Sequence, residues 1–389
     1  MSVLRELAAR THVDADLAIA ARHVLDVVAC IGSGATHPLA GKLRGVVPDG
    51  VERDAILAHI DEFDPLHGPS ATAPGAVVVP AALHVGAAVG ASGAAVLRAV
   101  AAGYEVVVEA SLRFGGPALY AAGWWPTALF GGLGAAAAAA LLLDLDEPTT
   151  CHALALAAAP MGGLLSADIL GDAHYLLTGA AAARGVRAAH AAAAGMTGSA
   201  TLLDGPAARA LGRSPGPASP AGSHLHGTSL KTWPCARPLH TALAAFDALG
   251  VLPEADEVVR IDLPSAALAF VTAERHPPGP AEAAASAAVA VAGAMAGRAR
   301  DPRWYRAPAR TQPVVLGTSP ALDAEFPRRW GAEVTVHGVT RRVLIAPGDP
   351  DSPLDEAAVR AKAAALLGPS DPRIDALLDL AALLYLDAQ

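Results

Sequence analysis

From Phe114 to Leu143 the chain runs for thirty residues without a charged side chain. A run of that length either crosses a bilayer or is buried on all sides inside a protein. Here Gly115-Gly116-Pro117, Pro126, Gly131-Gly132 and Gly134 break it, and its later part is mostly alanine. A buried core segment is therefore expected, with no membrane as partner. The whole chain shares the bias, being 53% hydrophobic but only 4% aromatic over 389 residues. A core of many small side chains favours close-packed helices over sheets.

The length allows two domains, or one large helical core with a smaller companion. The helical reading runs over residues 3–31, 51–60, 76–89, 92–113, 128–143, 148–158 and 166–190, with Ser92 as an N-cap. Gly115–Thr127 reads as a glycine-rich loop that holds Tyr120, Trp124 and Trp125. Gly212–Gly222 is the clearest linker. After it, residues 258–263 alternate like a strand, and so does much of 332–345, where Gly338 marks a hairpin turn. Residues 281–299 read as one small-residue helix, and 356–367 and 374–386 as terminal helices. The fold class expected is mostly α: an all-helical domain over 1–225, a smaller α+β lid domain over 226–346, and C-terminal helices over 347–389 that return to the first.

Charge and cysteine content narrow the function. A net charge of −9 with no basic run argues against nucleic acid as a partner, while a small anionic substrate stays possible because local cations matter more there. Cys30, Cys151 and Cys235 are far apart and odd in number, so no disulfide framework is expected. Met1–Glu6 has no basic region leading into an apolar one, so a cytoplasmic setting is expected.

The stretch Leu230-Lys231-Thr232-Trp233-Pro234-Cys235-Ala236-Arg237-Pro238-Leu239-His240 carries the densest chemistry. Its two prolines predict an ordered loop that runs into a helix start, with His240 in the first turn. A fixed cation near an imidazole suits proton transfer beside a carboxylate, with Lys231 holding the anion and His240 moving the proton. Arg237 is a lesser candidate for holding a substrate carboxylate. His224-Leu225-His226 lacks a third ligand nearby, and Gly131-Gly132-Leu133-Gly134 lacks the preceding strand of a dinucleotide site. No metal site and no cofactor are expected.

Lys231-Thr232-Trp233-Pro234…His240 resembles the Lys-x-Tyr-Pro…His segment of the MmgE/PrpD family, which includes 2-methylcitrate dehydratase, cis-aconitate decarboxylase and iminodisuccinate epimerase. Pro74–Leu83 is similar to the helix after that family's first active-site loop. Ala101–Val106, Pro126-Thr127-Ala128 and Asp349–Leu354 also fit, in order and spacing. The resemblance implies a helical domain with a smaller lid, a homodimer, and cofactor-free, metal-free chemistry on carboxylic acids. It also carries Asp64, Lys231 and His240 over as site residues.

The departures from the family pattern are equally specific. The family's Asp-Phe-Asp-Asp loop looks here like Glu62-Phe63-Asp64-Pro65. Its imidazoles fall at Ala73 and Trp125, and its central-helix Lys falls at His174. His67 and His174 are candidate replacements, with Asp64 orienting an imidazole. Trp125, Trp124 and Tyr120 are candidate pocket walls. A site that has lost cations suits a less anionic, more apolar substrate than methylcitrate, since an unpaired buried anion is costly. The expected activity is a lyase or isomerase that works next to a carboxylate or carbonyl through an enolate-like intermediate. The alternative is a catalytically silent binding or scaffolding subunit, favoured by the missing imidazoles at Ala73 and Trp125.

Overall fold

The computed structural model describes residues 1–12, 15–164, 171–220 and 223–378. Helices dominate, joined by one small mixed sheet. The uncharged run becomes the helix Pro126–Leu142, buried at every position from Pro126 to Ala140. Helices Pro74–Val89, Gly93–Arg113, Glu147–Ala158 and Asp172–Ala193 pack around it. Small residues make this possible. A Cβ on Gly134 would lie 2.8 Å from the Gly103 carbonyl oxygen, and one on Gly185 would lie 2.3 Å from that of Gly132. The backbones touch where glycines meet, and any larger side chain would force the helices apart. Leu17–Gly34 is the one described helix long and apolar enough to cross a bilayer, and 67% of it is buried in protein.

Helix starts follow the capping residues. Ser92 Oγ accepts from the Ala95 amide at 3.2 Å, as expected from the sequence. Asp16, Asp146 and Asp355 cap their helices in the same way.

The second core lies among residues 233–346. Its strands β1 (Val259–Leu263), β2 (Val314–Thr318), β3 (Ala332–Val336) and β4 (Val339–Val343) are ordered β2-β1-β3-β4. The parallel β1–β2 pair needs a long crossover, which residues 264–313 supply. β3 and β4 form the expected hairpin around His337 and Gly338, both at positive φ, 50° and 74°. The helix Pro238–Asp247 packs against β3 and against the helix Ala287–Met295.

Several expectations change. The loop expected at 115–127 contains a short helix, Gly116–Ala121, started by Pro117. The single helix expected over 281–299 is two, Pro280–Ala285 and Ala287–Met295, because Ser286 leaves helical geometry and caps the second through its hydroxyl. β2 was not legible as a strand. The helix expected from Ser166 begins at Asp172, and 166–170 lie outside the described residues, as does most of 374–386. The helix Glu356–Leu367 packs against Leu17–Gly34.

Candidate active site

The helix Val51–His59 ends in a loop that turns back on itself at Glu62, whose φ of 53° is left-handed. A non-glycine residue there costs about 1 kcal/mol or more, so its surroundings must hold it. They do so through Lys231, whose Nζ donates to the Glu62 carbonyl oxygen at 2.8 Å and to Oε2 at 3.3 Å. Leu66 and Ser229 exchange backbone hydrogen bonds at 3.0 and 2.9 Å, which ties this loop to the segment carrying Lys231. Lys362 closes the arrangement from the C-terminal helix. Its Nζ donates to the Phe63 and Lys231 carbonyl oxygens at 2.8 and 3.0 Å and pairs with Asp26 at 2.7 Å.

These elements surround a cavity of about 90 Å3. His59, Glu62, His174, Lys231 and Arg237 supply its polar lining, and Tyr120, Trp125, Phe270 and Trp330 its aromatic walls. Behind His59 sits Asp64, fully buried, whose Oδ1 accepts from His59 Nδ1 at 2.9 Å. His59 Nε2 meets His174 Nε2 at 3.1 Å and lies 3.4 Å from Glu62 Oε1. Trp125 stacks on the His174 ring, with centroids 3.9 Å apart.

Burial alone would drive His59 toward its neutral form. Asp64 and Glu62 more than reverse this and hold its pKa above the ordinary imidazole value. His174 goes the other way: burial, and then the charge of His59, lower its pKa to about 3. Burial would raise Glu62, yet His59, Lys231 and His174 bring its carboxyl down to about 2. The two touching rings are thus pushed in opposite directions, His59 toward its protonated form and His174 toward its neutral one.

Each cation at the cavity already has an anion. Lys231 pairs with Glu62, and Arg237 Nη2 with Asp349. Arg237 Nη1 is buried and has no hydrogen-bond partner among the described residues.

Residues 53–214 match the family model of the MmgE/PrpD N-terminal domain. Over this domain the chain is similar to the MmgE/PrpD family. No curated protein matches the chain. That likeness points in general to a dehydratase-type enzyme. His59, Glu62, Asp64, Trp125 and His174 all fall within the matched residues, whereas Lys231 and Arg237 come from beyond them.

Of the residues expected from the sequence, Lys231, His174, Trp125, Tyr120 and Arg237 line the cavity, and Asp64 stands behind its wall. Three are placed elsewhere. His240 does begin the expected helix, but its ring turns into the second core. There Nε2 donates to the Cys235 carbonyl oxygen at 3.3 Å, and the ring meets the Trp233 indole edge-on at 5.4 Å. Burial, then Arg237 and Lys231, hold its pKa well below the usual imidazole range.

His67 caps the turn Gly68–Ser70, accepting from the Ser70 amide at 3.2 Å. It borders a separate outer groove. Trp124 packs on the helical core and bridges to Leu164 instead of facing the cavity. The matched residues also supply two site members not expected from the sequence, His59 and Glu62. Their signal was the spacing His59-x-x-Glu62-x-Asp64 across a helix end, which looks like ordinary helix-terminal polarity.

Proposed function

We propose that the chain is a cofactor-independent lyase or isomerase acting on a carbon next to a carboxylate or carbonyl. The observation that carries this reading is the Asp64–His59 pair, whose Nε2, in contact with His174, lies at a cavity shared with Lys231. Asp64 fixes the imidazole's orientation and supports its charged form. His59 and His174, in hydrogen-bond contact, remove and return protons at the substrate carbon. Lys231 stabilises the enolate-like oxygen that develops. Dehydration, decarboxylation, epimerisation and cyclisation all pass through such an intermediate. His59 thus takes the role that the sequence pattern suggested for His240.

The charge balance supports a substrate with one carboxylate and an apolar body. Lys231 and Arg237 are each neutralised by a protein carboxylate, and Arg237 Nη1 is left to hold one anionic oxygen. A second or third carboxylate would lie against Tyr120, Trp125 and Phe270 with no cation of its own, at a cost of several kcal/mol.

Proton NMR in D2O tests both parts. The protein is incubated with a panel running from aconitate and methylcitrate to apolar β-hydroxy and β-keto mono-acids. Deuterium uptake or product is expected with the mono-acids. Stronger turnover of a tricarboxylate would sink the substrate assignment. No exchange with any compound, on folded protein, would favour the silent binding subunit.

A further inference from the structure

We infer that His59 Nε2, His174 Nε2 and Glu62 Oε1 form a binding site for a divalent cation of the zinc class, competing with the proton that the two imidazoles share. The three atoms lie 3.1, 3.4 and 3.7 Å from one another. Zinc holds imidazole nitrogen and carboxylate oxygen at about 2.0–2.2 Å, so tetrahedral geometry sets neighbouring ligand atoms roughly 3.3–3.5 Å apart. The set therefore needs only small shifts to close on an ion.

Its surroundings fit the same purpose. Asp64 accepts from His59 Nδ1, which fixes the tautomer whose Nε2 lone pair faces the centre. Lys231 engages the other carboxylate oxygen of Glu62, at 3.3 Å, and leaves Oε1 for the cation. His174 Nδ1 is buried and finds no hydrogen-bond partner among the described residues, so nothing on that side fixes which of its nitrogens carries the proton. The fourth position faces the cavity, where water or a substrate oxygen completes the shell. Two imidazoles and a single carboxylate select a zinc-class ion over magnesium or calcium, which require more oxygen ligands.

The His59 Nε2 lone pair holds a proton or the cation and not both. Loading the site therefore stops the proton exchange proposed above, and this consequence alone rests on that reading. Zinc then acts as a reversible inhibitor.

The full-length protein, stripped with a chelator, is titrated with Co2+ and followed by its visible d–d absorption, which reports tetrahedral binding without any turnover. One equivalent is expected to bind to the wild type and to His67→Ala and His240→Ala. The bands are expected to vanish in His174→Ala and to need at least tenfold more Co2+ in Glu62→Gln, with folding checked by thermal melts. Absence of bands in folded wild type overturns the site, as do bands undiminished in both variants. One equivalent of Zn2+ is then added to a protein turning over a mono-acid. Exchange that stops and returns with chelator supports the competition, and exchange that continues with zinc bound overturns it. Co2+ bands in a protein that exchanges nothing support the cation site and count only against the proposed function.

Discussion

The region around His59 and the region around His240 bury their imidazoles almost equally, at 3% and 2% exposure. They leave them in opposite states. His59 has Asp64 on one nitrogen and Glu62 near the other, and its charged form is favoured. His240 has a backbone carbonyl and an indole edge for neighbours, with two cations within reach, and stays neutral. Burial supplies the same penalty in both places. The carboxylates beside the ring decide which imidazole is pushed toward its charged form. Position in the chain does not decide it, for Lys231 and His240 share one Pro-rich segment and only Lys231 lines the cavity.

Removing the support of the His59 side has the largest expected effect. Lys362→Met leaves Asp26 buried without its cation and releases the Phe63 and Lys231 carbonyl oxygens. A loss of about 3–5 kcal/mol is expected in urea unfolding. Under 1 kcal/mol would mean that the C-terminal helix does not brace this site.

A smaller effect separates the two imidazoles chemically. Asp64→Asn keeps the shape but weakens both the orientation and the charge of His59, and the exchange rate is expected to fall roughly 10²-fold. An unchanged rate would remove Asp64 from the proton path.

The third effect concerns the neutral imidazoles. His67 and His23 have folded-state pKa values lowered to about 3, chiefly by burial. The unfolded chain binds protons at these groups below about 6.5, so stability is complete above that pH and falls as the pH drops toward 3. Each contributes a slope of about 1.4 kcal/mol per pH unit in that window. His67→Asn is expected to make the loss of stability between pH 6 and 4 shallower by one such slope, read from denaturant melts. An unaltered slope would mean that His67 already titrates normally in the folded protein.

The smallest effect is on binding. Arg237→Lys keeps the charge beside Asp349 but loses the partnerless Nη1, and KM for a mono-acid is expected to rise about tenfold with kcat nearly unchanged. A fall in kcat alone would place Arg237 in the chemistry and not in substrate holding.

Much of this was legible in the chain itself. Alanine and glycine content announced the close-packed helices, and alternation around Gly338 announced the β3–β4 hairpin. Lys231, Asp64, His174, Trp125, Tyr120 and Arg237 could be picked out, since polar or aromatic residues stand out in such a sequence. His59 could not. It is the last residue of an unremarkable helix, and its importance arises only when His174 is brought to it from 115 positions away. His240 misled for the converse reason. Its place at a helix start was right, but the direction of its side chain is set by packing against Trp233, which no local pattern encodes. β2 escaped because it forms a parallel pair, whose partner lies across a long crossover.

The most direct test of the contrast between the two imidazoles is the deuterium-exchange rate of His59→Ala and His240→Ala, measured side by side by proton NMR on the same mono-acid. The prediction is a fall of 10²–10⁴-fold for His59→Ala. His240→Ala, which removes a packed ring and no proton carrier, should stay within a few-fold of wild type while losing thermal stability. Exchange that survives in His59→Ala and disappears in a folded His240→Ala would contradict it.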